Sequence, residues 1–190
     1  MQYICLERSL PPHFFTSKSP LLMENLLYLH GLDSTLSDVK RAILEKQFNV
    51  IAPIIDYRTD NVDEIIVSIF ENNQIRAVVG SSIGGYVAYH ISRQSDLPCL
   101  LFNPALFMRS VEIKFTELPK YPYYYNVMNI VLGKKDRVVS YRTTQQRLSV
   151  DNTIGLINFS LYSHLEHRID LNTFDEEFNK FIESFDYELF

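Results

Sequence analysis

Apolar and polar positions alternate in blocks along most of the chain. Six short runs are rich in Val, Ile and Leu and are apolar throughout, which is typical of strands buried on both faces of a parallel sheet. These predicted strands cover residues 26–30, 49–52, 77–81, 99–103, 129–133 and 155–160.

Segments with helical periodicity lie between these runs, at about residues 36–46 and 62–71. The last helix has the clearest pattern, an apolar stripe made by Phe174, Phe178, Phe181, Ile182 and Phe185. The three-residue spacing of Thr173 and Glu176 predicts a capping box at the start of this helix.

The alternation of strands and helices predicts a single α/β domain whose mostly parallel sheet is flanked by helices. We place this domain at residues 23–190, without a separate cap domain. Residues 1–22 carry three prolines and no clear periodicity, so we interpret them as an N-terminal extension. In parallel sheets of this kind, the functional site lies beyond the carboxyl ends of the strands.

Composition narrows the class of protein. The chain has 190 residues, 46% of them apolar, with a formal net charge of −5 and no cluster of basic residues. These values argue against binding to nucleic acid or to an anionic membrane. No apolar run approaches the ~18 residues of a membrane span. Cys5 and Cys99 match no metal-ligand spacing, so we expect no metal, and we interpret them as reduced thiols of a cytoplasmic protein.

Glycine is concentrated where the predicted strands end. Of six glycines, five stand at the end of a strand or in the turn that follows: Gly31, Gly80, Gly84, Gly85 and Gly133. Residues 78–85 contain the pattern G-x-S-x-G, with Ser82 at its centre, between a β-branched strand and an amphipathic segment. This context is typical of the nucleophile elbow of serine hydrolases. A glycine-containing turn with incidental serines is the alternative interpretation.

The first strand ends in His30-Gly31. In a site built around Ser82, the backbone N–H groups of Leu32 and Ile83 would form the oxyanion hole. We expect His30 to orient this loop through side-chain hydrogen bonds. We also expect His30 and Gly31 to bind the substrate. A partly buried histidine without a role in binding is the alternative.

Candidates for the two other members of a catalytic triad follow in the expected chain order of Ser, Asp and His. Asp136 comes three residues after Gly133, which ends a predicted strand. Two histidines, His164 and His167, follow the last predicted strand. The spacing alone permits either histidine as the general base, and a lone aspartate in a lysine-rich turn is more often a surface residue.

These motifs together resemble the α/β-hydrolase superfamily and, within it, the small cap-less bacterial YqiA-like esterases. The resemblance covers about residue 23 to the C-terminus and implies a Ser-His-Asp esterase or thioesterase that needs no cofactor. It favours His167 as the base, because Arg168-Ile169 after it matches the His-x-apolar ending of the family. The chain departs from the family pattern at residues 163–166, where relatives carry glycines, and in its extension before Met23.

The resemblance also implies that the segment after Asn103-Pro104 lines the acyl pocket. Aromatic residues are frequent in this segment, and Tyr121 and Tyr123 are predicted to contact the substrate as part of a short lid. A packed surface loop is the equally weighted alternative.

The leading hypothesis is therefore a serine hydrolase that acts on small acyl esters or thioesters. An amidase or peptidase with the same triad is one alternative. A binding protein that keeps the fold but has lost turnover is another, and the complete set of Ser, Asp, His and oxyanion positions speaks against it.

Overall fold

A computed structural model describes residues 23–107, 111–120, 127–149 and 156–186 of the chain. The predicted extension at residues 1–22 and the predicted lid residues Tyr121 and Tyr123 lie outside this description. Within the described ranges, no helix combines the length and apolar character that crossing a membrane requires.

The described residues form one six-stranded parallel sheet in the order β2-β1-β3-β4-β5-β6. This confirms the predicted fold class, and each predicted strand overlaps an observed one. The strands are β1 (Asn25–Leu29), β2 (Asn49–Ile51), β3 (Ile75–Ser81), β4 (Cys99–Phe102), β5 (Val127–Gly133) and β6 (Leu156–Tyr162).

Helices cover both faces of this sheet, which explains why its central strands are apolar without alternation. The helices are α1 (Asp38–Leu44), α2 (Val62–Asn72), α3 (Ile83–Ser95), α4 (Tyr141–Leu148) and α5 (Leu171–Asp186). On β1, Leu27 and Leu29 pack in the apolar cluster that includes α2 and α3, whereas Leu26 and Tyr28 pack in the cluster that includes α1 and α5. Strands β3, β4 and β5 divide their side chains between the same two clusters.

Helix α4 was not predicted from the sequence. Its eight residues bury only Thr144 and Leu148, so no apolar stripe marks it. The serine hydroxyl of Ser140 caps the helix by accepting a hydrogen bond from the Thr143 N–H.

The capping box predicted from Thr173 and Glu176 is wrong. Helix α5 begins at Leu171, and Asp170 accepts hydrogen bonds from the N–H of Thr173 (3.0 Å) and from its hydroxyl (2.9 Å). Asp170 is thus the residue that caps the helix, and Thr173 lies inside the first turn. Glu176 pairs with Lys180 at 2.6 Å.

The strand order reverses at β1. Strand β2 lies on one side of β1, and β3 lies on the other side. Leu29, at the carboxyl end of β1, is in register with Gly80 near the end of β3. The loops that leave these two strands lie at a topological switch point, which is where ligands bind in open α/β sheets.

Candidate active site

Ser82 occupies a sharp turn between β3 and α3. Its φ of 54° and ψ of −117° lie in a region that residues other than glycine rarely adopt, at a strain of about 1–3 kcal/mol. Backbone hydrogen bonds hold this conformation: the Ser82 N–H donates to Phe102 at 3.0 Å, and the Ser82 carbonyl accepts from Tyr86 and Ala105. The serine side chain therefore projects at the start of α3 instead of packing into the core.

Two glycines allow helix α3 to approach the sheet at this turn. A Cβ atom on Gly80 would lie 2.5 Å from the Gly84 carbonyl oxygen and 2.7 Å from Ala88 Cβ. A Cβ atom on Gly84 would overlap the carbonyl oxygens of Leu29 and His30. Glycine is thus required here by the close approach of backbone to backbone.

The structure brings three predicted residues from distant parts of the chain into one hydrogen-bonded series. The Nε2 atom of His167 lies 3.0 Å from Ser82 Oγ, and its Nδ1 atom lies 2.7 Å from Asp136 Oδ2. With Nδ1–H donating to the carboxylate, Nε2 is left unprotonated and can accept the serine proton. This is the arrangement of nucleophile, base and orienting acid that a triad requires.

The Asp136 carboxylate is fully buried and fully hydrogen-bonded. Its second oxygen, Oδ1, accepts from the N–H groups of Val138 at 2.7 Å and Val139 at 2.9 Å. Burial alone would raise the pKa of Asp136, but the hydrogen bonds from His167 and from these two N–H groups outweigh it and lower the pKa. The aspartate is therefore held as an anion beside the histidine.

His164, the competing histidine, points away from this series. Its side chain is 62% exposed, its Nε2 atom lies 3.8 Å from Asp170, and its ring contacts Tyr162 edge-on. Of the two candidates, the structure places His167 between Ser82 and Asp136.

Asn103 holds the loop that carries His167, a role that the sequence did not reveal. Its Nδ2 donates to the carbonyls of Glu166 (2.9 Å) and His167 (3.1 Å), and its Oδ1 accepts from the Gly133 N–H (2.8 Å). The side chain is 1% exposed, and the residue has a φ of 42°, which asparagine tolerates better than most residues. The available signal was an asparagine at the carboxyl end of a strand, where the active site was expected.

His30 is buried beneath the site, and its predicted contact with the substrate stays a prediction. The ring is 3% exposed, its Nε2 accepts from the Ile55 N–H at 3.0 Å, and its Nδ1 lies 2.7 Å from the Gly31 carbonyl oxygen. The Tyr57 hydroxyl also donates to the His30 carbonyl at 2.8 Å. These bonds fix the loop after β1, in keeping with the orienting role expected from the sequence.

Of the two N–H groups predicted for the oxyanion hole, that of Ile83 follows Ser82 directly in the chain. Ile83 is the first residue of α3, so its N–H has no acceptor inside the helix. Across the described ranges, neither Leu32 nor Ile83 donates its N–H in a loop or side-chain hydrogen bond. The loop that carries Leu32 is adjacent to the serine, because a Cβ atom on Gly31 would lie 3.4 Å from Ser82 Cβ.

A cavity of about 1020 Å³ opens over Ser82 and His167. One part of its wall is apolar and includes Ala105, Phe107 and Val111, while another part is polar and includes Ser34, Ser37 and Lys40. Gly31 and Leu32 also border it. The described residues contain no group of His, Cys, Asp or Glu side chains that could hold a metal ion.

Known proteins resemble this chain in sequence and in fold. The sequence pattern of UPF0227, an uncharacterised protein family, matches residues 25–130, which is more than half of the chain.

Solved structures share the fold at low sequence identity. A Bacillus cereus carboxylesterase is similar at a TM-score of 0.60 and 14% identity, with 85% of this chain and 89% of that chain covered. Arabidopsis thaliana SOBER1 gives the same TM-score of 0.60 and 14% identity, over 85% of this chain and 98% of its own. An alpha-beta serine hydrolase homologue from Coxiella burnetii matches at a TM-score of 0.56 and 14% identity, over 85% of both chains. These likenesses confirm the α/β-hydrolase fold.

Proposed function

We propose that this chain, which belongs to the family UPF0227, is a serine hydrolase that cleaves carboxylic esters or thioesters through an acyl-enzyme. The observation that carries the proposal is the hydrogen-bonded series Ser82–His167–Asp136, with distances of 3.0 Å and 2.7 Å. Its three members come from the carboxyl ends of β3 and β5 and from the loop after β6.

In the first half of the reaction, Ser82 Oγ attacks the carbonyl carbon while His167 Nε2 takes the hydroxyl proton. The carbonyl oxygen becomes an oxyanion, which the N–H groups of Leu32 and Ile83 stabilise in this proposal. Preorganised donors of this kind contribute about 3–4 kcal/mol each to lowering the barrier. The imidazolium then gives its proton to the departing alcohol or thiol, which leaves the acyl group on Ser82.

In the second half, His167 removes a proton from water, and the resulting hydroxyl attacks the acyl-serine carbonyl. Collapse of this intermediate returns the proton to Ser82 Oγ and releases the carboxylic acid. Asp136 stays ionised throughout, and its hydrogen bond fixes the histidine tautomer and stabilises the imidazolium.

The cavity supports a small acyl substrate. Ala105, Phe107 and Val111 follow β4 and give an apolar wall beside Ser82, which suits a short to medium acyl chain. The carboxylesterase of Bacillus cereus, which shares the fold, is in keeping with this class of reaction.

The proposal is tested by measuring kcat/KM on a panel of 4-nitrophenyl esters and acyl thioesters of increasing chain length. We expect turnover of short to medium chains by the wild type, loss of all turnover in Ser82→Ala, and little change in Ser81→Ala. Ser81 is the matched control, because it is the adjacent hydroxyl and lacks hydrogen bonding to His167. Turnover that survives in Ser82→Ala would refute the proposed nucleophile.

A further inference from the structure

Two cationic side chains line the cavity over Ser82, although the chain as a whole is acidic. The whole protein carries a net charge of −5, yet the cavity is lined by two cations, Lys40 and Arg168, and by one carboxylate, Asp33. Arg58 neutralises that carboxylate through two hydrogen bonds of 2.6 Å and 2.9 Å. Lys40 and Arg168 are therefore the charged side chains of the cavity wall that form no ion pair within the described residues.

Lys40 is partly buried and does not have a full set of partners. Its ammonium group donates to the Ile169 carbonyl at 3.0 Å and lies 4.8 Å from the centre of the Phe174 ring. Burial lowers the pKa of Lys40, and the nearby Asp170 carboxylate acts in the opposite direction. Asp170 is itself bound by Thr173, and Lys40 forms no ion pair with any carboxylate in the described ranges. An ammonium group has three N–H donors, so donors remain for a group in the cavity.

Arg168 extends the same positive surface. It follows the proposed base directly in the chain, is exposed, and forms no ion pair within the part of the chain that the structure describes. Three hydroxyl side chains, Ser34, Thr35 and Ser37, complete this polar wall and can donate further hydrogen bonds to an anion.

The position of the two cations indicates whether they would contact the acyl group or the leaving group of an ester or thioester. His167 must deliver its proton to the leaving group, so the leaving group lies on the side of the histidine loop. Lys40 is bonded to Ile169 of that loop, and Arg168 is part of it. The apolar wall around Phe107 and Val111 lies on the segment after β4 and is left for the acyl group.

We propose that the natural substrate carries an anionic group, such as a carboxylate or a phosphate, on its leaving alcohol or thiol, and that Lys40 and Arg168 bind this group. This inference rests on the proposed ester or thioester hydrolysis and assigns the class of substrate.

The test compares the butyryl ester of 4-hydroxybenzoate, whose leaving group is an anion, with that of 4-hydroxybenzamide, which is neutral and similar in shape. We expect the ratio of their kcat/KM values, anionic over neutral, to exceed one in the wild type. The ratio should fall by about 10-fold in Lys40→Met, should fall less in Arg168→Gln, and should be largely kept in Lys40→Arg. Lys46→Met is the matched control, since Lys46 is exposed beyond the end of α1 and does not line the cavity.

Two further measurements, together with the Arg168→Gln variant, separate the possible outcomes. Added salt should reduce the wild-type ratio, because Arg168 is exposed and Lys40 is only partly buried. Arg168→Gln keeps the inference testable if Lys40→Met does not fold, because the Arg168 side chain is exposed. A pair of 4-nitrophenyl esters, of glutarate and of pentanoate, places the anion on the acyl half instead and should show no dependence on Lys40.

The inference is refuted by a wild-type ratio at or below one, by a ratio that neither variant changes, or by a Lys40-dependent preference for the glutarate ester. Absence of turnover of both neutral and anionic esters by folded wild type would instead refute the proposed hydrolysis itself. The two failures are therefore distinguishable.

Discussion

The turn at Ser82 and the loop at His167 each supply one atom of the proposed triad, but they are held in place by different means. The serine turn is fixed by residues next to it in the chain, since Gly80 and Gly84 let the helix close onto the strand. The histidine loop contains no glycine and is fixed from elsewhere. Asn103 binds its backbone across 63 and 64 residues of sequence, and Lys40 binds it across 129. A local constraint leaves a motif in the sequence, whereas a long-range constraint does not.

The largest effect on activity is expected from the histidine at the centre of the series. His167→Ala should remove nearly all turnover, because both the proton acceptor and the partner of Asp136 are lost. His164→Ala is the matched control on the same loop and should keep most of its activity. Measuring kcat/KM across pH for both variants checks this, and the reverse pattern would transfer the role of base to His164.

The serine turn should be intolerant of any side chain at its glycines. Gly84→Ala drives a methyl group into the carbonyls of Leu29 and His30, so we expect a loss of about 1–3 kcal/mol in the free energy of unfolding. Gly31→Ala is the comparison, because its added Cβ would meet only ordinary contacts at 3.4 Å and 3.6 Å. Chemical denaturation of the two variants should differ clearly, and equal stabilities would contradict the close approach described for Gly84.

The histidine loop should respond to a change at Asn103 that leaves the serine turn intact. Asn103→Asp keeps the shape and the acceptor for Gly133 but replaces the two N–H donors to residues 166 and 167 with a carboxylate oxygen. We expect kcat to fall by roughly 10²-fold through misplacement of His167, with KM changing little. A kcat near the wild-type value, or a rise confined to KM, would show that Asn103 does not position the base.

The smallest effect concerns the stability of the site in acid. The folded-state pKa of Asp136 is lowered below its ordinary value of 3.8, so this carboxylate stabilises the fold above that value, and the contribution is lost as pH falls through the folded pKa. Below about pH 4, the free energy of unfolding should therefore fall more steeply for the wild type than for Asp136→Asn. Parallel curves for the two proteins would argue against the hydrogen bonds assigned to Asp136.

The sequence predicted those features that depend on local pattern. The six strands and the Ser82 turn could be read from apolar runs and glycine spacing. The same reasoning failed where tertiary contacts decide the structure. Helix α4 has no apolar stripe, and α5 is capped by Asp170 rather than by Thr173. The choice between the two histidines needed a family resemblance, because chain spacing cannot show which ring lies within reach of Ser82.

The sequence also could not predict that two cationic side chains line the cavity. Lys40 and Arg168 are far apart in a chain of net negative charge, and they line the same cavity only because α1 packs beside the loop that precedes α5. Charge patterning along the chain does not reveal a cluster that is assembled by folding.

The most direct test of the central claim is to map the site that reacts with a fluorophosphonate probe. Intact-mass and peptide mass spectrometry of the treated wild type should show one adduct, on Ser82. The adduct should be absent from folded Ser82→Ala and retained in Ser81→Ala. Labelling that persists in Ser82→Ala, or a folded wild type that does not react at all, would contradict the assignment of Ser82 as an activated nucleophile.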